Sequence, residues 1–131
     1  MIFLDTSAIY ALSDIDDAMH DQALRMFESA ESDGEEIVTH NYVLSESAAL
    51  LQRRLGLQSS LKLLAEAGDF TVIWVDESLH DNAVEYMRRK NSAKLSLVDA
   101  VSFQVMTVMG ITKYLGFDKH FSDAGFSPYC V

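Results

Sequence analysis

Short apolar segments alternate along this chain with longer segments that have the periodicity of amphipathic helices. Such alternation is typical of βαβ units, in which helices connect parallel strands and cover both faces of the sheet. The pattern therefore predicts an α/β fold with a central parallel sheet of four to five strands. The predicted strands span 2–4, 36–39, 70–75, 111–117 and, as a short fifth, 127–131. The predicted helices span 6–13, 18–32, 41–54 with Asn41 as the cap, 58–67, 78–90 and 97–109.

The size and composition of the chain are those of one compact domain. Its 131 residues are 49% hydrophobic, which is enough for a sizeable core, so we predict a single domain over residues 1–131. No apolar stretch reaches the roughly 20 residues that cross a bilayer, and no basic region precedes Arg25 as in a signal peptide. The single cysteine, Cys130, excludes an internal disulfide and fits a C-terminal strand. We therefore expect a cytoplasmic protein that does not associate with membranes.

The net charge of −10, taken as a whole, argues against nucleic-acid binding, because phosphate contacts normally require a basic surface. The distribution of the charge weakens this objection. Residues 1–36 hold ten acidic residues and one basic residue, a net of −9, whereas residues 37–131 hold ten acidic and nine basic residues, a net of −1. Four bases cluster before Asp99, either to guide an RNA backbone or simply as a solvated helix end and loop: Arg88, Arg89, Lys90 and Lys94.

Four carboxylates stand in apolar surroundings, where an acid is uncommon unless something pairs with it. They are Asp5, Glu46, Asp99 and Asp118. Each has a simpler explanation when it is considered alone. Asp5 fits the N-cap of the first helix, and Asp118 fits a turn. Glu46 fits a partly exposed helix residue, and Asp99 fits a capping box that begins at Ser96.

Considered together, the four acids favour a shared metal site. Asp5 and Asp118 each follow a predicted parallel strand, and ligands gather outside the carboxyl ends of such strands. Four carboxylates in one crevice would repel each other and require a cation, for which Mg²⁺ or Mn²⁺ suits oxygen ligands. Such a centre is typical of one- or two-metal phosphodiesterases. Zinc is disfavoured because no ligand spacing is present, and the histidines are predicted to be surface residues: His20, His40, His80 and His120.

The chain resembles PIN domains, and more narrowly the VapC-type toxin ribonucleases of bacterial and archaeal toxin–antitoxin pairs. The resemblance covers essentially the full length, and four short segments carry it by their order and spacing. These are Phe3-Leu4-Asp5-Thr6-Ser7, Ser45-Glu46, Leu95-Ser96-Leu97-Val98-Asp99-Ala100, and Gly116-Phe117-Asp118-Lys119-His120-Phe121 followed by Gly125-Phe126.

The resemblance implies a Rossmann-like three-layer α/β/α sandwich and Mg²⁺- or Mn²⁺-dependent hydrolysis of RNA. It matches four residues to the family's catalytic and metal-binding quartet: Asp5, Glu46, Asp99 and Asp118. It also matches Thr6 and Ser96 to hydroxyl positions that often support the acids. Many relatives have a Thr two residues before the fourth acid, where this chain has Gly116. Because of this departure, two residues are candidates for the fourth acid: Asp118 and, as the alternative, Asp123.

The expected mechanism is in-line attack of a metal-activated water on an RNA phosphate. Asp5 and Asp99 would be the main ligands, and Glu46 and Asp118 would position a second ion or coordinated waters. The resemblance also implies a homodimer and a small antitoxin that blocks the site, inserting an Arg or Lys near the acids. Helices 58–67 and 97–109 carry more apolar residues than one buried face of each requires, which favours the same symmetric dimer.

Two other functions remain open from the sequence. A non-catalytic PIN-like module that binds a protein partner would have its acids spread apart, or paired with cations such as Lys94 and Lys119. A phosphatase or other metal hydrolase of small phosphates would have a closed pocket with a fixed cation near the acids. The chain has no Gly-rich phosphate loop, which disfavours the second alternative.

Overall fold

A computed structural model of the chain describes residues 1–129 and contains a five-stranded sheet. Its strands are β1 (Ile2–Leu4), β2 (Ile37–His40), β3 (Thr71–Ile73), β4 (Lys113–Leu115) and β5 (Ser127–Pro128). Its helices are α1 (Thr6–Ser13), α2 (His20–Ser32), α3 (Asn41–Leu55), α4 (Leu57–Glu66), α5 (Glu77–Lys90), α6 (Leu97–Met109) and α7 (His120–Asp123). A short 3₁₀ helix, Ala67–Asp69, follows α4. The expected Rossmann-like α/β/α sandwich is confirmed.

The order of the strands places a ligand crevice between β1 and β4. The order is β3-β2-β1-β4-β5, and every neighbouring pair is parallel. Right-handed crossovers put α1 to α4 on one face of the sheet and α5 to α7 on the other. In agreement, α1 packs against α2 and α3, and α6 packs against α5 and α7. The direction of the crossovers reverses between β1 and β4, and ligands bind at such a point outside the carboxyl ends of the strands.

Side chains of β1, β2 and α6 form the centre of the core. All three residues of β1 are fully buried. The helix α6 is largely buried up to its last turn, where Val108 is exposed. Within residues 1–129, no helix has the length and apolar character that a bilayer span requires.

Strand lengths and one helix differ from the expectation. β3 and β4 pair over three residues each, inside the predicted spans 70–75 and 111–117. Apolar composition continues past the last paired residue, so composition alone overestimates strand length. The four-residue helix α7 is too short to show helical periodicity and was not predicted. The predicted fifth strand extends to Cys130 and Val131, which lie outside the described residues.

The prediction that Asn41 caps α3 is wrong. The N-cap is His40, whose ring Nδ1 accepts a hydrogen bond from the backbone N–H of Val43 at 3.2 Å. Asn41 is instead the first helical residue, and its Oδ1 accepts from the backbone N–H of Val75 at 2.6 Å. That contact ties the end of β2 to the segment after β3. Two adjacent residues could each supply the capping acceptor, and only the tertiary contacts decide between them.

Candidate active site

Asp5 lies directly after β1 at the crevice and is buried. Its backbone N–H donates to the carbonyl of Leu115 at 3.0 Å, which holds it beside the end of β4. Its Oδ2 accepts from the backbone N–H of Ser7 at 3.4 Å and from the Ser7 hydroxyl at 3.0 Å. The N-cap explanation for Asp5 is therefore correct. The same position also puts its carboxylate where a ligand of this fold binds.

Ser7 links the ends of β1 and β4. Its hydroxyl donates to Asp5 and accepts from the backbone N–H of Phe117 at 2.9 Å. A Cβ placed on Gly116 would lie 3.1 Å from the Asp5 Cβ and 3.3 Å from the Ser7 Oγ. Gly116 has no hydroxyl, and the hydroxyl of Ser7 at this junction supports Asp5. The hydroxyl of Thr6, matched by resemblance to a supporting position, is buried and makes no hydrogen bond among residues 1–129.

Asp99, Asp118 and His120 form a tight cluster. Asp99 lies in the first turn of α6, which Ser96 caps by accepting from the Asp99 backbone N–H at 3.1 Å. Asp118 forms the expected turn, because its Oδ1 accepts from the backbone N–H of His120 at 2.9 Å. The His120 Nδ1 lies 3.3 Å from the Asp99 Oδ2 and 3.2 Å from the Asp118 Oδ1. One ligand atom from each of the three residues lies within 4.8 Å of the other two.

The acids of the crevice influence each other electrostatically. Burial raises the pKa of Asp5 from 3.8 to about 6, and repulsion by the charge of Asp99 adds to this effect. Burial also raises the pKa of Asp99, and repulsion by Asp118 raises it further. Burial disfavours the charged form of a carboxyl, and a neighbouring negative charge disfavours it further. Asp5, Asp99 and Asp118 therefore belong to one electrostatic site.

This set of donor atoms fits a divalent cation. Although the His120 Nδ1 lies near two carboxylates, it is buried without a hydrogen-bond partner in the described part of the chain. Neighbouring ligands around an octahedral ion with bonds of roughly 2.1 Å lie about 3 Å apart. The distances of 3.2 and 3.3 Å from Nδ1 to the carboxylate oxygens are close to that value. Within residues 1–129, no Lys or Arg forms an ion pair with Asp5, Asp99 or Asp118.

Glu46 and Asp123 lie outside this cluster. Glu46 is exposed on the second turn of α3, and its carboxylate makes no hydrogen bond or ion pair with any described residue. Asp123 is exposed at the end of α7, where it lines a small surface pocket together with His120. The role of Glu46 as a ligand and the choice between Asp118 and Asp123 stay predictions. The contacts described above favour Asp118.

The prediction that the histidines are surface residues is wrong for His40. His40 is fully buried, and its Nε2 lies 2.9 Å from the hydroxyl of Ser102. Burial lowers the pKa of His40 to about 3, so its ring is neutral. His20 and His80 are half-buried and hydrogen-bonded, and His120 lies among the acids. Because Ser102 is distant in sequence from His40, and Asp99 from His120, spacing could not reveal these two contacts.

The predicted RNA-guiding bases lie at the end of α5 and in the loop after it. Arg88 pairs with Glu85, whereas Arg89 and Lys90 lie over the ring of Tyr86. Lys90 also lines the small surface pocket that contains His120. Of these bases, Lys90 therefore lies beside the cluster that contains His120. The proposed contact with RNA stays a prediction.

Comparison with known proteins gives a consistent assignment along the whole chain. A family model described as PIN domain matches residues 2–127. The 23S rRNA-specific endonuclease VapC20 of Mycobacterium tuberculosis, from strains CDC 1551 and H37Rv, is 38% identical over 129 residues. The match covers 96% of this chain and 95% of the relative.

Two solved structures have the same architecture. The crystal structure of M. tuberculosis VapC20, described as a sarcin-ricin loop cleaving toxin, has a TM-score of 0.88 and 35% identity, and 96% of each chain is covered. FitAcB from Neisseria gonorrhoeae has a TM-score of 0.69 and 13% identity, with 99% of this chain and 97% of the other covered. At this identity the second likeness shows the fold alone.

Proposed function

Because this chain belongs to the PIN domain family, we propose that it is a metal-dependent endoribonuclease and the toxin of a toxin–antitoxin pair. The convergence of Asp5, Asp99 and Asp118 at the crevice between β1 and β4 is the observation that supports this function most directly. The alternative of a non-catalytic binding module requires these acids to be apart or paired with cations such as Lys94 and Lys119. Neither Lys94 nor Lys119 forms an ion pair within residues 1–129.

The residues of the crevice have separate roles in this proposal. Asp5 and Asp99 would hold Mg²⁺ or Mn²⁺, and Asp118 and Glu46 would orient waters or a second ion. Ser7 keeps the Asp5 carboxylate in place through the hydroxyl hydrogen bond. The cation supplies the chemistry of phosphodiester hydrolysis, since it activates water and stabilises charge on the leaving oxygen.

The VapC20 relative suggests the class of RNA. Its name describes an endonuclease specific for 23S rRNA, and its solved structure is described as a toxin that cleaves the sarcin-ricin loop. We propose that this chain also cuts a structured loop of ribosomal RNA. Incubation of purified ribosomes with the protein, followed by primer extension, tests this. Cleavage of transfer RNA with intact ribosomal RNA would contradict the proposed substrate.

The nuclease function is tested by RNA cleavage with Mg²⁺ or Mn²⁺ added to metal-free protein. Cleavage should require the metal and should vanish in Asp5→Asn and in Asp99→Asn, which keep side-chain size but remove a charge. His80→Asn is the matched control, since His80 bonds to Tyr42 and not to the acids. Wild-type protein that cuts no RNA and binds no metal in calorimetry would refute the proposal and favour the binding module.

His120 is proposed as a nitrogen ligand of the same site. An imidazole ligand strengthens binding of transition metals relative to Mg²⁺. Calorimetry should therefore show that His120→Asn weakens Mn²⁺ binding by roughly tenfold or more and Mg²⁺ binding less. An equal loss for both ions would assign His120 only a role in holding the carboxylates.

Two partners complete the proposal: a second copy of the chain and an antitoxin. The unbalanced negative charge at Asp5 and Asp99 would attract an Arg or Lys of an antitoxin. Half-exposed leucines on α4, namely Leu57, Leu61 and Leu64, favour an apolar interface between copies. A cytoplasmic location agrees with an RNA substrate and stays part of the proposal.

A further inference from the structure

A cavity of about 600 Å³ opens directly beside the acids, at the carboxyl ends of β4 and β5. It shares Gly116 and Asp118 with the acidic site, so a ligand in it would be continuous with one held by the carboxylates. The first half of α2 closes its other side through Arg25 and Met26. Small-molecule sites commonly have volumes of roughly 300–1,000 Å³, and a nucleotide falls within this range.

Within residues 1–129, the cations that line this cavity have no acidic partner. Arg25 is the only base among residues 1–36, which hold ten acids, yet it forms no ion pair within the described part of the chain. Lys119, which follows β4, also lines the cavity and is equally unpaired among those residues. Asp118, the one acid of the lining, already lies against His120. Both side chains are exposed, and two unpaired cations beside one cavity suit an anionic ligand on a chain of net charge −10.

The same cavity has an aromatic wall. Phe117 is half-buried at the rim, and the ring of Tyr129 is buried deeper. The Tyr129 hydroxyl donates to Asp33, which holds the ring in one orientation. Nucleic-acid bases that leave a helical stack are bound by stacking on aromatic side chains. Cationic side chains suited to a phosphate and aromatic rings suited to a base therefore line the same cavity.

We propose that this cavity binds a nucleotide of the RNA strand next to the scissile phosphate. Arg25 and Lys119 bind the phosphates on its two sides, and Phe117 with Tyr129 receives the base. An antitoxin segment that presents an Arg or Lys to the acids would be repelled here by the two cations. The inference rests on the proposed nuclease function, since it takes the acids as the place where the RNA is cut.

The experiment measures RNA binding in the Asp99→Asn background, which keeps the strand uncut. Fluorescence anisotropy of a labelled single-stranded RNA is followed over a range of salt concentrations with Mn²⁺ present. The logarithm of the affinity falls as the logarithm of the salt concentration rises, and each phosphate contact to single-stranded RNA increases the size of this slope by about 0.7. Adding Arg25→Gln and Lys119→Gln should lower this slope by about 1.4 and weaken binding at low salt by roughly tenfold.

The matched control is Arg53→Gln with Lys62→Gln, which also removes one Arg charge and one Lys charge, but from α3 and α4. These two residues do not line the cavity, so the slope should change by less than about 0.5. Equal slopes and affinities in both double variants would overturn the proposal. Thermal unfolding and light scattering of all variants verify that the fold and oligomeric state are retained.

Cleavage kinetics separate the failure of this inference from failure of the proposed function. In the otherwise wild-type chain, Arg25→Gln with Lys119→Gln should raise KM for RNA by roughly tenfold and leave kcat and Mn²⁺ affinity unchanged. Metal-dependent cleavage with an unaltered KM in this variant would refute the subsite alone. A wild-type chain without metal-dependent cleavage would refute the nuclease function itself.

Discussion

At the scale of single residues, Ser7 maintains the geometry of Asp5. Its hydroxyl both donates to the Asp5 carboxylate and accepts from the N–H of Phe117. We predict that Ser7→Ala raises the pKa of Asp5 above about 6, because that hydrogen bond lowers it in the native protein. The acidic limb of the pH–activity profile should then move to higher pH, and kcat should fall by about tenfold or more.

Thr6→Val is the informative comparison for this prediction. The Thr6 hydroxyl is buried without a hydrogen bond among residues 1–129, so its removal should leave the pH profile in place. A larger effect in Thr6→Val than in Ser7→Ala would mean that Thr6, and not Ser7, supports the acids.

The raised pKa of Asp5 also affects stability. A folded pKa of about 6 against 3.8 means that protonated Asp5 favours folding at low pH. The contribution of protonated Asp5 to stability is complete below pH 3.8 and is lost as the pH rises through about 6. We therefore expect Asp5→Asn to stabilise the metal-free protein at about pH 8, by up to about 3 kcal/mol for a two-unit shift.

Urea denaturation in the presence of a chelator measures this effect at about pH 8 and about pH 4. The stabilisation by Asp5→Asn should shrink toward the lower pH, where the native carboxyl is protonated. A variant that is destabilised equally at both values would show that burial of the charge is not costly at this position.

At the scale of elements, the acids sit where helices begin. Asp5 is the N-cap of α1, and Asp99 lies in the first turn of α6 below the cap of Ser96. A helix start supplies N–H donors and a favourable dipole for a carboxylate. The local explanation and the functional one are therefore compatible, and the sequence pattern alone could not choose between them.

The cap of α6 gives a prediction at this scale. Ser96→Ala removes the acceptor for the Asp99 N–H and should lower the free energy of unfolding by about 1 kcal/mol. It should also weaken Mn²⁺ binding, since the first turn that holds Asp99 becomes less ordered. Ser78→Ala on α5 is the control, because Asp76 caps that helix. Equal effects of the two variants in denaturation and calorimetry would contradict the prediction.

At the scale of the whole molecule, the predicted dimer depends on α4. The apolar residues of α6 are mostly buried in the core, whereas Leu61 and Leu64 of α4 are each 48% exposed. We expect Leu61→Gln with Leu64→Gln to give a monomer in light scattering. Leu24→Gln, which alters an exposed leucine of α2, should not change the mass. A wild-type monomer at high concentration would refute the dimer, and a dimeric double variant would place the interface elsewhere.

The sequence by itself determined the order of the elements and the positions of Asp5, Asp99 and Asp118 along them. Periodicity and capping residues are local properties, so α1 and α6 were predicted with the bounds that the structure has. The same local information explains why the acids could be placed at strand ends and helix starts.

Only the tertiary structure decided which side chains meet at the crevice. The adjacency of β1 and β4 and the hydrogen bond from the Phe117 N–H to Ser7 join distant parts of the chain. His120, which follows Asp118 by two residues, meets Asp99 of another element. Periodicity repeats within one element and carries no information on such contacts. Strand order and packing therefore turned scattered acids into one site, because they bring together groups that lie about a hundred residues apart in sequence.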